Sequence, residues 1–334
     1  MQKPKINFYL PLEKTVSLPE SSDVFWQWIT ETPGLKDLWS IYHLILLTYL
    51  HLKEKEFPCS LVREMPEEGI VIAHHSTIPP SLKPSHRLTI VDVMIDKGFL
   101  RYPYANFYVV MNPLQKILFS RYFYIPPWTQ SSLIPRDPDR GELFENLAFV
   151  GTEKTELAEE LKTGDFEKRL ESLGLSWSVP QRSKWNDFSS YDAVVAIRSF
   201  GKELHKNKPA LKLFNAWKAG VPAILGAESA YRLTGSKGEN YLEVKSLGDL
   251  MENIKKLKND PSLRKKLVKN GKEKLKNFTD DKIAKKWEEF FKNIVIPHHM
   301  VFCSSRRARI FFAARNIFTR CYIGLFFKIM RFKS

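Results

Sequence analysis

The segment Lys206-Asn-Lys-Pro-Ala-Leu-Lys-Leu-Phe-Asn-Ala-Trp-Lys-Ala-Gly-Val-Pro-Ala-Ile-Leu-Gly226 joins a helix pattern to a strand pattern through a single glycine. It predicts a helix up to that glycine, then the buried strand Val221–Leu225 and a second glycine turn. Lys208, Lys212 and Asn215 lie near the expected start of the helix. Cations and amide groups at a helix N-terminus, beside the end of a strand, suit a ligand that carries phosphate.

The residues around this segment continue the alternation of strand and helix. Short apolar runs predict strands at Leu147–Val150, Ser176–Val179, Ala193–Ile197 and Tyr241–Val244. Helix patterns cover Glu156–Leu173, Leu247–Asn259, Pro261–Phe278 and Asp280–Asn293. An alternation of this kind predicts a parallel sheet that is covered by helices.

The first 145 residues also alternate between strand and helix patterns. Apolar runs predict strands at Ile6–Leu10, Ser60–Arg63, Ile70–Ala73, Leu88–Met94 and Phe107–Met111, with a helix over residues 37–55 between the first two. Several of these runs are apolar at consecutive positions, as expected for parallel strands that are buried on both faces.

Proline, glycine and charged residues are concentrated between residues 125 and 146, which marks a junction. We therefore predict an α/β protein with two Rossmann-like domains, residues 1–145 and 146–295, followed by a basic tail at 296–334. Two such domains that face each other would leave their strand C-termini on either side of one ligand-binding cleft.

Composition narrows the class of protein further. The chain has a net charge of +15 and three scattered cysteines, Cys59, Cys303 and Cys321, which have neither metal-binding spacing nor a disulfide framework. The N-terminus lacks the apolar region of a signal peptide. The longest uncharged apolar run, Leu38–Leu52, is too short to cross a bilayer. These features predict a cytoplasmic protein.

Several blocks of sequence carry a resemblance to a known family. They are Gly69-Ile-Val-Ile-Ala-His-His75, Leu133-Ile-Pro-Arg-Asp-Pro-Asp-Arg-Gly141, Tyr191-Asp-Ala-Val-Val-Ala-Ile-Arg198, Lys208-Pro-Ala210 and Gly226-Ala-Glu-Ser-Ala-Tyr-Arg232. Together with residues 206–226, which we call the opening segment, they resemble GT-B glycosyltransferases with a family 1/4-like nucleotide-sugar domain. More narrowly, they resemble a group of largely uncharacterised bacterial glycosyltransferases. The resemblance covers about residues 5–295 and implies that the donor's ribose and phosphates contact the helix of the opening segment.

The candidate donor site combines this resemblance with the chemistry of its residues. Arg198, Lys208 and Lys212 are placed to stabilise negative charge on a departing diphosphate, and Asn215 to bind the ribose. The remaining candidates are Gly151, which follows a strand, and the turn residues Glu228, Ser229 and Tyr231. We expect a metal-independent reaction, in which these fixed cations stabilise the diphosphate. We expect no cofactor, because the nucleotide sugar is the substrate.

One departure from the family pattern leaves the stereochemistry open. Many retaining GT-B enzymes have two glutamates eight positions apart in this helix. The present sequence has Asn207 and Asn215 at that spacing. An asparagine can hydrogen-bond a ribose hydroxyl, but as a neutral group it makes a weaker contact than a carboxylate does.

The candidate acceptor side lies in the first domain. His74 and His75 directly follow a predicted strand, where a neutral imidazole can take the proton of an acceptor hydroxyl. Asp96, just past the strand Leu88–Met94, is a third candidate for the base. The alternative for the histidines is a hydrogen-bonded turn without catalytic function.

The pattern of basic and apolar residues in the tail predicts a basic amphipathic helix. No Asp or Glu follows Glu289, and Arg309, Arg320 and Arg331 recur on one face of a helical wheel. The apolar residues on the opposite side are Phe311, Phe318, Tyr322, Leu325 and Ile329. This pattern is typical of a helix that lies on an anionic membrane surface, and it does not suit nucleic acid. The alternatives are a tail that packs back on the enzyme and a disordered tail.

These observations favour a glycosyltransferase on the inner face of the cell membrane. It would move a sugar from a nucleotide-sugar donor to an acceptor hydroxyl on a lipid-linked or cell-surface glycan precursor, as in polysaccharide biosynthesis. Two alternatives stay open, a sugar-nucleotide epimerase of the same fold and a non-catalytic membrane-surface protein.

Overall fold

The computed structural model describes residues 3–13, 15–35, 38–94, 102, 104–115, 121–201 and 203–331. The chain forms two compact units. The first consists of Met1–Pro127 and Asp280–Ser334, and the second of Trp128–Thr279.

The first unit contains a six-stranded sheet in which every neighbouring pair of strands is parallel. The strand order is β2-β1-β3-β4-β5-β6. The strands are β1 (Ile6–Tyr9), β2 (Ser60–Val62), β3 (Gly69–His74), β4 (Leu88–Met94), β5 (Phe107–Val110) and β6 (Tyr122–Tyr124). Every residue of β3 and β4 is buried, which explains why most of their residues are apolar. The first five strands confirm the predictions, whereas β6 was not predicted.

Helices cover this first sheet. They begin with α1 (Phe25–Glu31), followed by α2 (Trp39–Ile41), a π-helical turn (Tyr42–Leu46) and α3 (Leu47–Glu54) in one continuous run. The helix predicted over residues 37–55 is therefore confirmed over its described part, with a π turn inside it. The C-terminal helices α10 (Asp280–Phe290), α11 (Ile296–Ser304) and α12 (Arg306–Arg331) belong to the same unit.

This division differs from the domain boundaries expected from the sequence, 145/146 and 295/296. Residues from Asp280 onwards belong to the first unit because their aromatic side chains fill its core: the Phe291 ring lies 6.2 Å from that of Phe8, and the Phe290 ring 5.9 Å from that of Phe107. Residues 128–145 belong to the second unit because its loops hold their backbone, as where Arg136 N donates to Ala219 O at 2.9 Å.

The second unit contains a five-stranded parallel sheet with the strand order β11-β10-β9-β7-β8. The strands are β7 (Asn146–Ala148), β8 (Ser176–Ser178), β9 (Ala193–Ala196), β10 (Ala223–Gly226) and β11 (Leu242–Val244). The helices are α4 (Glu153–Glu156), α5 (Gly164–Glu171), α6 (Leu211–Ala219), α7 (Ser229–Thr234), α8 (Leu247–Asn259) and α9 (Pro261–Leu275). Two parallel sheets with covering helices confirm the predicted α/β fold class.

Two predicted helices of this unit are shorter in the structure. The one predicted over Glu156–Leu173 is divided into α4, a 3₁₀ turn (Glu159–Leu161) and α5, where the Thr163 side chain caps the new helix. The helix expected at the opening segment begins only at Leu211, because Pro209 disfavours helical backbone at the residue before it. The expected glycine turn is confirmed: Gly220 ends α6 in the left-handed conformation, with φ 74°.

Candidate functional site

The carboxyl ends of three neighbouring strands bring four charged side chains together in the second unit. Glu156 lies in the segment after β7, Arg198 after β9 and Glu228 after β10, while Lys212 comes from the first turn of α6. We call these four residues the charged cluster. Ligands of open α/β sheets bind at this edge, so the cluster is the first candidate for a binding site.

Three ion-paired contacts link the cluster. Lys212 Nζ lies 2.7 Å from Glu156 Oε2, and Arg198 Nη2 lies 3.5 Å from Glu156 Oε1. Arg198 Nη1 also forms a close ion pair with Glu228 Oε2. The side chains are buried to different degrees: Glu156 is 17% exposed, Lys212 12%, Arg198 7% and Glu228 2%. Glu156 is therefore the member nearest to solvent, and Glu228 is the deepest.

The cations keep Glu156 ionised despite its burial. Burial alone would raise the pKa of this carboxyl group, but the charges of Lys212 and Arg198 outweigh burial and lower the pKa to about 2. The charge of Lys208 acts in the same direction. Burial raises the pKa of Glu228, although Arg198 opposes this effect. Burial likewise lowers the pKa of the Lys212 ammonium group.

Gly151 leaves room for the cluster. A Cβ atom at this position would lie 2.8 Å from Lys212 Nζ and 2.9 Å from Glu156 Oε2, closer than real Cβ contacts. The side chain of Lys212 also extends over the ring of Phe149, with Nζ 5.2 Å from the ring centroid. The missing side chain at Gly151 therefore provides the space that the ends of the Lys212 and Glu156 side chains occupy.

A cavity of about 600 Å³ is lined by residues of the segments that follow β9, β10 and β11, at the same edge of the sheet as the charged cluster. Phe200, Gly201 and Ala227, which line it, lie within three residues of Arg198 or Glu228 in the chain. Leu204, Arg232 and Lys245 complete its lining. Its volume falls in the range of small-molecule sites, roughly 300–1,000 Å³.

The other predicted donor residues differ in their surroundings. Lys208 lies in a turn before α6, where its backbone N donates to His205 O at 2.9 Å. Asn215 is buried, and its side-chain oxygen accepts a 3.0 Å hydrogen bond from Gln130 N. Ser229 and Tyr231 lie in α7, not in an open turn as expected, and both are buried. The cluster therefore unites three predicted residues, Arg198, Lys212 and Glu228, with one that was not predicted, Glu156.

The first unit places two histidines and an aspartate at the carboxyl end of its sheet. His74 is the last residue of β3, and its Nδ1 lies 2.7 Å from Ser76 Oγ. The ring of His75 follows, with Nδ1 3.1 Å from Asp92 Oδ2. Both His75 and Asp92 are almost fully buried. Burial raises the pKa of Asp92, although the His75 contact opposes this effect. Asp96 lies outside the described residues.

The part of the chain that the structure describes contains neither a metal-binding cluster nor a membrane-spanning helix. No group of three or more His, Cys, Asp or Glu side chains there could hold a metal ion. The sequence contains one Asp-x-Asp tripeptide, Asp137-Pro138-Asp139, in which the Asp137 side chain accepts a 2.9 Å hydrogen bond from Asp139 N and so caps a 3₁₀ turn. None of the described helices has the length and hydropathy of a membrane-spanning segment.

Several solved structures are similar to this chain. The chain is similar to Anabaena Alr3699/HepE in complex with UDP and glucose, with 10% identity, a TM-score of 0.52, and coverage of 87% of this chain and 100% of that chain. The same protein in complex with UDP-glucose gives a TM-score of 0.50. The GtfA/B complex and TarM give TM-scores of 0.46 and 0.49, and the chain covers 60% and 58% of their respective lengths.

The likeness to HepE establishes the fold of the GT-B glycosyltransferases, which the sequence resemblance predicted. No protein-family model matches the sequence, and no curated protein matches it.

Proposed function

We propose that this protein is a glycosyltransferase that uses a nucleotide-sugar donor, bound by the second unit. The charged cluster at the carboxyl ends of three parallel strands is the observation that carries this proposal, and a cavity of about 600 Å³ at the same edge of the sheet has the size of a small-molecule site. The fold supports it, since the structures of HepE contain UDP with glucose, or UDP-glucose.

The cluster has the chemistry that cleavage of a nucleotide sugar requires. The departing nucleoside diphosphate gains negative charge in the transition state, and fixed cations stabilise that charge. Arg198 and Lys212 are the cations held at the site, and Lys208 adds a third positive charge near them. The reaction we propose uses these side chains in place of a metal ion. Glu228, Ser229 and Tyr231 are proposed to contact the sugar, and Asn215 the ribose.

The acceptor base is proposed to lie in the first unit. His75 is one candidate for this base, and the 3.1 Å contact of its Nδ1 with Asp92 Oδ2 orients the imidazole ring. His74 is the second candidate, held through Nδ1 by Ser76. Asp96 is retained as a third candidate on its sequence position alone. The acceptor we propose is a hydroxyl group of a lipid-linked or cell-surface glycan precursor.

Replacement of Lys212 tests the function directly. We expect the Lys212→Ala variant to lose roughly 100-fold or more of its activity against the best substrate in a panel of nucleotide sugars, because a preorganised charge at the leaving group is lost. The rate of sugar transfer is measured as release of nucleoside diphosphate, with and without a cell extract that contains glycan precursors as acceptors. Lys276→Ala is the matched control, since Lys276 is exposed and pairs only with Glu273 among the described residues. Full activity of Lys212→Ala would remove this lysine from the mechanism.

The same assay separates the alternative functions. An epimerase would convert the nucleotide sugar into an isomer without releasing nucleoside diphosphate. A non-catalytic protein would bind a nucleotide, or none, without turnover.

The C-terminal helix provides a surface for the proposed membrane contact. Seven of the fourteen exposed large hydrophobic residues among the described residues lie between Met300 and Tyr322. On α12, four of them form what we call the exposed apolar stripe, at helical spacing and each about 60% exposed or more: Ile310, Phe311, Ile317 and Phe318. The exposed side chains of Arg306 and Arg307 begin the same helix.

The rest of α12 packs against the first unit. Phe312, Asn316 and Thr319 are buried, and Arg315 Nη2 donates to Ala105 O at 2.9 Å. Two arginines of the predicted basic face also contact this unit: Arg309 Nη1 donates to Cys303 O at 2.9 Å, and Arg320 donates to Tyr104 Oη. The aromatic residues Phe311 and Phe318 thus stay exposed while the helix is held in place.

We therefore propose an anionic bilayer as the partner of the exposed apolar stripe. Apolar side chains that insert at the boundary between headgroups and acyl chains lose contact with water, and each nearby arginine adds about 1 kcal/mol at an anionic surface. The protein is accordingly proposed to be cytoplasmic and peripheral on the inner face of the cell membrane.

A further inference from the structure

Both cations of the proposed donor site already have carboxylate partners. Arg198 forms its close ion pair with Glu228, which is 2% exposed. Lys212 forms its 2.7 Å contact with Glu156, which also reaches Arg198 at 3.5 Å. A diphosphate that contacts both cations therefore meets the negative charge of Glu156 first.

Glu156 and Glu228 are held in different ways. Glu228 is deeply buried at the start of α7, directly after a strand of the sheet. Glu156 is the last residue of α4, a helix of only one turn, and the extended residue Leu157 follows it. Beyond its contacts with the two cations, its carboxylate has a weak 3.4 Å hydrogen bond from Thr152 N. Its side chain can therefore turn towards solvent without disturbing a strand or a long helix.

The carboxylate of Glu156 has the contacts that a bound phosphate group would have. It lies between two cations, accepts from a backbone N–H group, and faces Gly151, where no side chain intrudes. Phosphate oxygens and carboxylate oxygens use the same charge-assisted hydrogen bonds. Two anions cannot share this position, because like charges at contact distance repel each other strongly.

We propose that Glu156 is an internal anion that occupies the phosphate position between Arg198 and Lys212, and that the nucleotide donor displaces it on binding. This inference rests on the proposed function. It makes Glu156 a residue that sets donor affinity: the ligand must replace an existing ion pair. After transfer, the return of Glu156 to the cations favours release of the nucleoside diphosphate.

Removal of the Glu156 charge tests this inference. We expect full-length Glu156→Gln to bind the nucleoside diphosphate at least about 10-fold more tightly than wild type, because the amide keeps the shape but no longer competes for the cations. Calorimetric titration of both proteins with UDP, GDP, ADP and CDP measures the effect. Glu159→Gln is the matched control, since Glu159 lies three residues away, is exposed and pairs with Lys162. Its affinity should equal that of wild type.

Other outcomes distinguish the two proposals. If wild type binds a nucleoside diphosphate and a folded Glu156→Gln binds it equally or more weakly, Glu156 is a structural or ligand-contacting residue and the displacement idea is wrong. If neither protein binds any of the four nucleotides at millimolar concentration, the proposed function and this inference both fail. Should Glu156→Gln not fold, Glu156→Asp gives the answer: its carboxylate is too short to reach both cations, so tighter binding is again expected, and unchanged or weaker binding contradicts the inference.

Discussion

Gly271 shows how one missing side chain fixes the position of the helix that carries Lys212. A Cβ atom at Gly271 in α9 would lie 2.3 Å from Trp217 Cδ1 in α6, so the indole ring packs directly on the backbone of α9. Trp217 Nε1 donates to Asn240 O at 2.9 Å and sets the orientation of the ring. The close packing of α6 on α9 therefore depends on the absence of a methyl group at Gly271.

We expect Gly271→Ala to lower the free energy of unfolding by about 1–3 kcal/mol, because the added methyl group overpacks a fully buried contact. At an exposed position inside a helix, a change from glycine to alanine raises the free energy of unfolding by about 1 kcal/mol. The clash with Trp217 must therefore outweigh this gain. Urea denaturation measures the difference. Gly248→Ala in α8 is the control: a Cβ atom there meets only Ser246 Oγ, at 3.9 Å. A Gly271→Ala protein as stable as wild type would show that α6 and α9 can separate at low cost.

A residue of the site was predictable from sequence where a charged side chain follows a clear strand pattern or opens a helix pattern. Arg198 and Glu228 follow apolar runs that read clearly as strands, and Lys212 lies at a helix start. Glu156 was not predicted, because in sequence it looks like one of the acidic residues that open a long amphipathic helix. Only the breaking of that helix and the pairing of β7 with β9 bring it to the cations. The pairing of His75 with Asp92 similarly depends on the register of β3 and β4, in which Ala73 opposes Asp92.

At the scale of elements, α11 is held to the first sheet by two histidines that are neutral in the fold. Asn106 Nδ2 lies 3.2 Å from His298 Nε2, and Thr89 Oγ1 lies 2.9 Å from His299 Nδ1. Burial, followed by the charges of Arg121 and Arg315, lowers the pKa of His298 to about 4. Burial also lowers the pKa of His299. The contact of α11 with the sheet therefore favours uncharged imidazole rings.

This contact should weaken in acid. A histidine whose pKa is lowered in the fold contributes stability that is complete above its ordinary pKa of 6.5 and is lost as the pH falls from 6.5 towards about 4. Between pH 7 and pH 5 we expect wild type to lose roughly 1–2 kcal/mol more of its free energy of unfolding than His298→Gln, which cannot gain a proton. Chemical denaturation at both pH values measures this difference. Parallel losses in the two proteins would mean that His298 titrates normally in the fold.

The elements themselves were largely predictable, and their errors have common causes. Strands that are buried on both faces, such as β3 and β4, are predictable from sequence because most of their residues are apolar. The strand β6 lies at the edge of its sheet and is only half-buried, so its sequence gives a weak signal. The late start of α6 could have been foreseen from Pro209, which follows Lys208. Helix ends that depend on tertiary contacts, as at α4 and α5, carry no comparable local signal.

At the scale of the whole molecule, the exposed apolar stripe predicts how the protein partitions between water and lipid. We expect the double variant Phe311→Asp/Phe318→Asp to lose at least about 10-fold of its affinity for vesicles that contain phosphatidylglycerol, because burial of a phenylalanine contributes about 1.5–3 kcal/mol. Co-sedimentation with anionic and with zwitterionic vesicles measures binding. Binding of wild type should also decrease at high salt, since arginine contributes to it.

Two controls make this experiment specific. Leu233→Asp changes an exposed apolar residue of the second unit, and it should sediment with vesicles as wild type does. Analytical ultracentrifugation without lipid shows whether the stripe joins two copies of the chain. Unchanged sedimentation of the double variant, or a wild-type dimer that the double variant abolishes, would contradict a lipid partner.

The division of the chain has a consequence for the order in which the protein is made. The first unit is completed by helices that follow the second unit in the chain, so Phe8 and Phe107 can contact Phe291 and Phe290 only after the second unit has been synthesised. At about 5–20 residues per second, synthesis of the intervening segment takes roughly 10–30 s. During that interval the first unit lacks α10, α11 and α12, and the aromatic residues that they contact stay exposed. We expect nascent chains to be most prone to aggregate, and to need chaperones most, in this interval.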